Sequence, residues 1–361
     1  MIAFLKRPLD DFFGRGEAAI TVPVMDGPLK PNQRLEEAER LLTAQGLDNL
    51  VSASAGILYS SGPVLHKLCG GEVKRFPSVI TCLAAHGETL AVGLESGGVF
   101  LHGGPRDGQT IGETKLSCPV AVLFFDSDTL IAANGSAEHR AGEWRRDLMS
   151  LGRSGSLWRL DLNRNDATRL MDGLAWPSGI ALTPQGSLYV SECWRHRLLK
   201  VRTHAPGKPE TILHGLPAYP GRIFPASRGG YWLTFLSVRN QLVDFVLREH
   251  AYRKRMIAEV PERFWMAPGL SSNASFEEPL QGSGLKQMGI LKPWAATRSY
   301  GLVARCDVAL QPVLSYHSRA DGMIHGVTSV AEQGDDLLVG AKGPGVLVRL
   351  AGVAAIPVAG A

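Results

Sequence analysis

Short apolar stretches separated by turn residues run through most of this chain, and one segment sets the pattern. Between Trp176 and Val201 the order is Ile180-Ala181-Leu182, a Pro184-Gln185-Gly186 turn, Leu188-Tyr189-Val190, polar Arg195-His196-Arg197, then Leu198-Leu199-Lys200-Val201. Short strands with turn signals roughly every 8–12 residues predict an all-β fold of antiparallel meanders. The unit recurs about every 40–60 residues, the spacing of propeller blades.

Six blades are predicted. The first takes 49–51, 56–59 and 64–68, and the second 79–83, 89–92 and 98–101. The third takes 120–124, 128–132 and 155–160, with a polar insertion at 135–153. The segment 176–201 is the fourth. The fifth takes 221–223, 230–234 and 302–306, and the sixth 327–330, 336–340 and 345–350. A meander has two apolar faces that it cannot bury alone, so the blades must stack into one domain. The expectation is a six-bladed β-propeller over 45–351, an N-terminal extension at 1–44 and a tail at 352–361.

Blade five carries a long insertion, 238–299. Within 240–257, Leu242, Phe245, Val246, Glu249, Tyr252 and Met256 fall at helical spacing, and all but Glu249 are apolar. Arg248, Arg253, Lys254 and Arg255 flank them. This predicts a short helix acting as a lid or buttress beside the channel, with contact to a membrane surface or a partner protein as the other reading. The 268–298 segment, with Ser271-Ser272-Asn273 and Gln281-Gly282-Ser283-Gly284, reads as a flexible loop.

Composition narrows the class. Forty-five per cent hydrophobic and 20% charged residues suit a soluble globular chain, and 41 glycines with 22 prolines suit a turn-rich β protein. A formal charge of +4, without a basic cluster, argues against a nucleic-acid partner. No apolar run approaches the roughly 18 residues of a transmembrane helix, and the first residues lack a signal-peptide core. Cys69, Cys82, Cys118, Cys193 and Cys306 are odd in number and have no CxxC spacing. Disulfides and cysteine-ligated zinc are therefore disfavoured, most of these thiols are expected in the core, and the expected location is cytoplasmic.

The 176–201 segment is followed by Gly215-Leu216-Pro217-Ala218-Tyr219-Pro220-Gly221-Arg222-Ile223 and Gly229-Gly230-Tyr231-Trp232-Leu233. Residues 241–257, Tyr300-Gly301-Leu302-Val303 and Val327-Thr328-Ser329-Val330 continue the series. With these motifs the chain resembles the strictosidine synthase-like branch of the gluconolactonase propeller superfamily. Within it, the interrupted fifth blade is similar to that of the adipocyte plasma membrane-associated protein group. The likeness is strong over 170–350, looser over 45–170 and slight over the first forty residues.

The resemblance implies a small-molecule site at one mouth of the channel. In metal-dependent members a divalent cation, usually calcium, sits there on carboxylate and amide oxygens. Here Asp48 stands at the first-blade acidic position, and Asn134 where Asp or Asn is common. Ser178 replaces a ligand Asn, and Gly221, followed by Arg222, replaces a ligand Asp. Asp48 and Asn134 form an incomplete metal set. A channel-facing Arg222 would oppose a cation by about 4 kcal/mol per unit charge at 4 Å and a dielectric of about 20. No cofactor is expected, with calcium the only candidate. Thr328 stands where alkaloid-condensing relatives use a Glu, so that condensation is disfavoured.

Two functions follow from the resemblance. One is a lactone or ester hydrolase: His325 is the general base, Asp48 assists catalysis, and Arg222, Ser178, Asn134 and Thr328 bind substrate. The other is a noncatalytic propeller that binds an anionic metabolite through Arg222. For His325 the plainer reading is a hydrogen bond to backbone at a strand entrance. Glu192 reads as a turn-ordering acid paired with Arg195 or Arg197. Trp158, Trp176, Trp194 and Trp232 read as blade-interface packing. His139 reads as part of a solvated loop.

Overall fold

Each predicted meander folds into a four-stranded antiparallel sheet, and six such sheets close into a ring. This computed structural model describes residues 22–203, 207–272, 278–279, 286–287, 290–291 and 297–358. From the axis outward, blade 1 is Leu47–Ala53, Gly56–Ser61, Val64–Lys67 and Gly71–Arg75. Blade 2 is Ile80–His86, Thr89–Leu94, Val99–His102 and Thr110–Ile111. Blade 3 is Pro119–Asp126, Thr129–Asn134, Gly155–Asp161 and Asp166–Leu174. Blade 4 is Pro177–Leu182, Leu188–Glu192, Arg197–Val201 and Glu210–Leu213. Blade 5 is Ala218–Pro225, Tyr231–Val238, Leu302–Cys306 and Pro312–His317.

Blade 6 draws on both ends of the chain. Val327–Gln333, Asp336–Ala341 and Val346–Leu350 are completed by Glu39–Thr43, which pairs antiparallel with Val346–Leu350. The ring is thus fastened by main-chain hydrogen bonds between its two ends. The first paired strand starts at Glu39, six residues before the boundary expected at 45. That strand is mostly exposed and carries little apolar alternation. The inner strands of neighbouring blades touch all the way round, so these first strands line the channel.

Two insertions cover one face of the ring. The first, between the second and third strands of blade 3, carries α1, Trp144–Met149. The second, in blade 5, carries α2, Gln241–Arg248, and α3, His250–Glu259, and α3 packs on α1. Asn240 caps α2 by accepting the Val243 N–H at 2.8 Å. The single amphipathic face expected over 240–257 does not form, because Glu249 leaves the helical region (φ −79°, ψ 79°) and turns the chain. Val243, Val246 and Met256 are buried, whereas Leu242, Phe245 and Tyr252 are exposed. Arg253, expected on the basic flank, is buried. Most of the 268–298 segment lies outside the described residues.

No helix among the described residues is long and apolar enough to cross a membrane. All five cysteines are free, with Cys69 exposed and the other four buried. Glu192 is fully buried, pairs with both Arg195 and Arg197, and accepts the Ala175 N–H at 2.8 Å. The sequence placed it correctly in a structural role.

Candidate functional site

The mouth of the channel is built by one repeated irregularity. In blades 2, 3, 4 and 6 the pairing of the inner strand with the second strand shifts register at the inner strand's second residue, and in blade 1 that residue, Asp48, pairs with Ser60 and the shift follows it at 49–50. A β-bulge there re-aims a side chain out of the pleat. The residues concerned are Asp48, Thr81, Val120, Ser178 and Thr328, and all five line one cavity. Blade 5 has two such shifts, before and after Pro220, and contributes Gly221 and Arg222. The cavity holds ≈ 270 Å³, the small end of ligand-site volumes. Ala141, Gly142 and Trp144 of the first insertion, with Leu270 of the second, wall it from above.

Asp48 is the centre of its floor. Only 2% exposed, it carries two cations. Its Oδ1 accepts from Arg222 Nη1 at 2.7 Å, from Thr328 Oγ1 at 2.7 Å and from the Asn49 N–H at 2.7 Å. Its Oδ2 accepts from Lys342 Nζ at 2.9 Å. Burial alone would raise the Asp48 pKa, but Arg222 and Lys342 outweigh it and hold the carboxyl well below the usual carboxylate range. Arg222 reaches further, donating to the carbonyls of Thr81 at 2.7 Å and Thr328 at 3.1 Å. From blade 5 it therefore ties together blades 1, 2 and 6 across the channel.

A calcium ion does not fit this donor set. Both Asp48 oxygens face cationic nitrogens at hydrogen-bond distance, and the guanidinium and ammonium supply the positive charge a metal would bring. Arg222 faces the channel, the orientation in which it opposes a cation. Gly221 offers no side chain, and a Cβ there would come within 2.6 Å of Thr234 Oγ1, so an Asp fits only if Thr234 shifts. Among the described residues no group of three or more His, Cys, Asp or Glu is placed to hold a metal.

The structure brings four of the six expected site residues together, Asp48, Ser178, Arg222 and Thr328, and removes two. Asn134 does not line the cavity: its Oδ1 accepts the Cys118 N–H at 2.7 Å and its Nδ2 donates to Ser136 O at 2.8 Å. Only 2% exposed and absent from the cavity lining, the amide holds the strand end instead of facing the mouth. His325 is 1% exposed and does not line the cavity. Its Nε2 lies 2.7 Å from the Arg319 carbonyl, which must accept, so Nε2 carries the hydrogen. Nδ1 then accepts from Ser299 Oγ at 2.7 Å. Burial lowers the pKa of His325, opposed by that Arg319 bond and by Glu36 and Asp321. With both nitrogens engaged away from the mouth, it is a structural histidine and not the general base.

Asp48 is equally unsuited as a base, because a carboxylate held by two cations takes up a proton poorly. Ser178 Oγ donates to Pro220 O at 2.8 Å, and among the described residues no His, Lys or carboxylate hydrogen-bonds it. Of the tryptophans, Trp232 is core, donating to Glu332 Oε1 at 2.6 Å. Trp176 keeps the packing role expected of it, 6% exposed in a core cluster that joins blades 3 and 4; it stacks on Trp194 with centroids 5.3 Å apart and also lines the cavity. His139, expected in a solvated loop, is tied to buried Asp147 at 3.2 Å.

Sequence reasoning missed Lys342, Glu95 and Trp144, all of which line the cavity. A usable signal was present for two of them. Glu95 and Lys342 directly follow the second strands of blades 2 and 6, as Cys193 does in blade 4, and all three line the cavity. The repeat register therefore marks two positions per blade at the mouth. Trp144 sits on an inserted helix and has no equivalent in the repeat.

A six-bladed propeller with a small polar-floored cavity at one mouth is the class that fold and site define. Over 65% of its length the chain is similar to the adipocyte plasma membrane-associated protein of Rattus norvegicus, 26% identical over 273 residues that make up 72% of that protein. Its human counterpart is 25% identical over 272 residues, and the match spans 65% of that protein, just under two thirds. A shorter stretch, 108 residues covering 28% of each chain, is 30% identical to strictosidine synthase-like 2 of Arabidopsis thaliana. A model of the NHL repeat matches residues 174–201. Among solved structures, a calcium-binding protein, regucalcin, from Agrobacterium tumefaciens superposes with a TM-score of 0.53 at 13% identity. That superposition covers 87% of this chain and 93% of regucalcin, and shows the shared fold. The resemblance to the strictosidine synthase-like branch and the adipocyte plasma membrane-associated group therefore stands.

Proposed function

We propose that the mouth cavity captures a small amphipathic anion and that the protein works as a binding propeller. The observation that carries this reading is the convergence of two cations, Arg222 and Lys342, on the single carboxylate of Asp48. Two positive charges against one negative leave a surplus positive charge at the floor of a cavity whose walls include Val120, Trp176 and Leu236. Arg222 is held by three acceptors and sets the field. Lys342 is the contact group, since its ammonium has three donors, gives one to Asp48, and its side chain remains 38% exposed. The ligand's carboxylate or phosphate meets Lys342 while its apolar body lies against the walls.

The expected result is that full-length protein is stabilised in thermal-shift screening by at least one small carboxylate or phosphate ester. Lys342→Met then weakens that ligand roughly tenfold, about 1.4 kcal/mol. If no such anion binds, or if Lys342→Met leaves every hit unchanged, the reading is wrong. Hydrolysis of a lactone or ester is the second reading, favoured by the carboxylate of Glu95 in the cavity wall. Turnover of a lactone or aryl ester that Glu95→Gln abolishes would establish it in place of simple capture.

A further inference from the structure

Glu95 gives the cavity a second, opposite pole. One of its oxygens accepts the Gly142 N–H at 2.8 Å, which fixes the carboxylate under the first insertion. Among the described residues no Lys, Arg or His nitrogen forms an ion pair with it, although the floor of the same cavity holds two cations for one carboxylate. Blades 2 and 6 flank blade 1, so Glu95 and Lys342 stand on either side of Asp48.

An electron-rich ring shares the wall with Glu95. Trp176 lines the cavity with the 6% of its surface left exposed, and Trp194 stacks on it at 5.3 Å between centroids and 28° between planes. Trp194 is itself fixed through its Nε1–H, which donates to buried Asp147 at 2.8 Å. Trp144 adds a further aromatic wall, but the guanidinium of Arg145 already lies 5.3 Å from its centroid. Trp176 and Glu95 are therefore the groups left to meet a ligand cation. A carboxylate and an indole lining one cavity both attract a ligand's positive charge, and a quaternary ammonium meets both without needing a hydrogen-bond donor.

Building on the anion-binding reading, we propose that the ligand is a zwitterion, an anionic head seated at Lys342 and a quaternary ammonium seated between Glu95 and Trp176. Two isosteric pairs test this with the full-length protein: glycine betaine against 3,3-dimethylbutanoate, and phosphocholine against 3,3-dimethylbutyl phosphate. In each pair carbon replaces nitrogen, so that shape and anion are kept and only the cation is lost. Calorimetry is expected to show the ammonium member of at least one pair binding roughly tenfold tighter, with Glu95→Gln bringing that ratio towards one. If both members bind equally in every pair that binds, the zwitterion is overturned and the anion reading stands. The same holds if other carboxylates or phosphates bind and neither pair does. A preference that survives Glu95→Gln also overturns the assignment. If no anion of any kind binds, the failure is that of the anion-binding reading itself.

Discussion

Replacing Arg222 with methionine is expected to remove about 3–5 kcal/mol of unfolding free energy, the usual cost of breaking a buried ion pair by deleting one partner. The side chain of Arg222 is 17% exposed and that of Asp48 3%, so solvent screens the pair little. The substitution leaves Asp48 with Lys342 alone and strips a donor from the carbonyls of Thr81 and Thr328. It also cuts the link from blade 5 to blades 1, 2 and 6. Urea denaturation followed by far-ultraviolet circular dichroism measures the change as a lower midpoint at unchanged slope. The double variant Arg222→Met with Asp48→Asn is expected to recover part of the loss, because no buried charge is then left unpaired. Lys342→Met alone, being half in solvent, is expected to cost about 1 kcal/mol or less. A midpoint for Arg222→Met within error of the parent would show that the guanidinium is not what holds the centre of the ring.

That the same arginine matters to fold and to site explains how unevenly the sequence could be read. The three inner strands of each blade were legible because they carry most of the buried apolar residues, as in Leu188–Glu192, where all five residues are buried. The outer strands were not. Gly71–Arg75 and Glu39–Thr43 are largely exposed, and Thr110–Ile111 is two residues long. They are held by main-chain pairing, which leaves no hydrophobic period.

At the site, motif position found Asp48, Ser178 and Thr328 because each is the second residue of its inner strand, and Arg222 because the irregular pairing of blade 5 falls there. It misplaced Asn134, which ends a second strand, and His325, which precedes the last inner strand. A side chain at a strand end can turn to the mouth or back to the main chain, and hydrogen-bond partners distant in sequence decide which. For His325 they are Ser299 and the Arg319 carbonyl. Glu95 and Lys342 needed the repeat register of the second strands, and Trp144 needed the packing of an inserted helix.

Acidification is expected to weaken the fold in two stages, and the first belongs to histidines. His317 is fully buried between Tyr300 and Ser315, and burial lowers its pKa from 6.5 to about 4. Burial also lowers His325, and lowers His196 well below its ordinary value with Arg239 adding to the effect. Because each folded pKa lies below the unfolded one, the unfolded chain takes up these protons first. Stability is therefore full above about pH 6.5 and falls with pH from there. For His317 the loss is complete near pH 4 and amounts to about 3 kcal/mol, at roughly 1.4 kcal/mol per pH unit.

Asp48 acts in a lower window. Its folded pKa is depressed, so its contribution is present above about pH 4, its unfolded value, and is lost as pH falls through the folded one. Urea midpoints measured from pH 7.5 to 4 should therefore decline with a slope set by the buried histidines. His317→Gln, which cannot take up a proton, should make that decline shallower between pH 6.5 and 4. Asp48→Asn should leave its slope unchanged. A midpoint constant from pH 7 to 4.5 would mean that the buried imidazoles accept protons without cost, and that the packing around His317 does not hold it neutral.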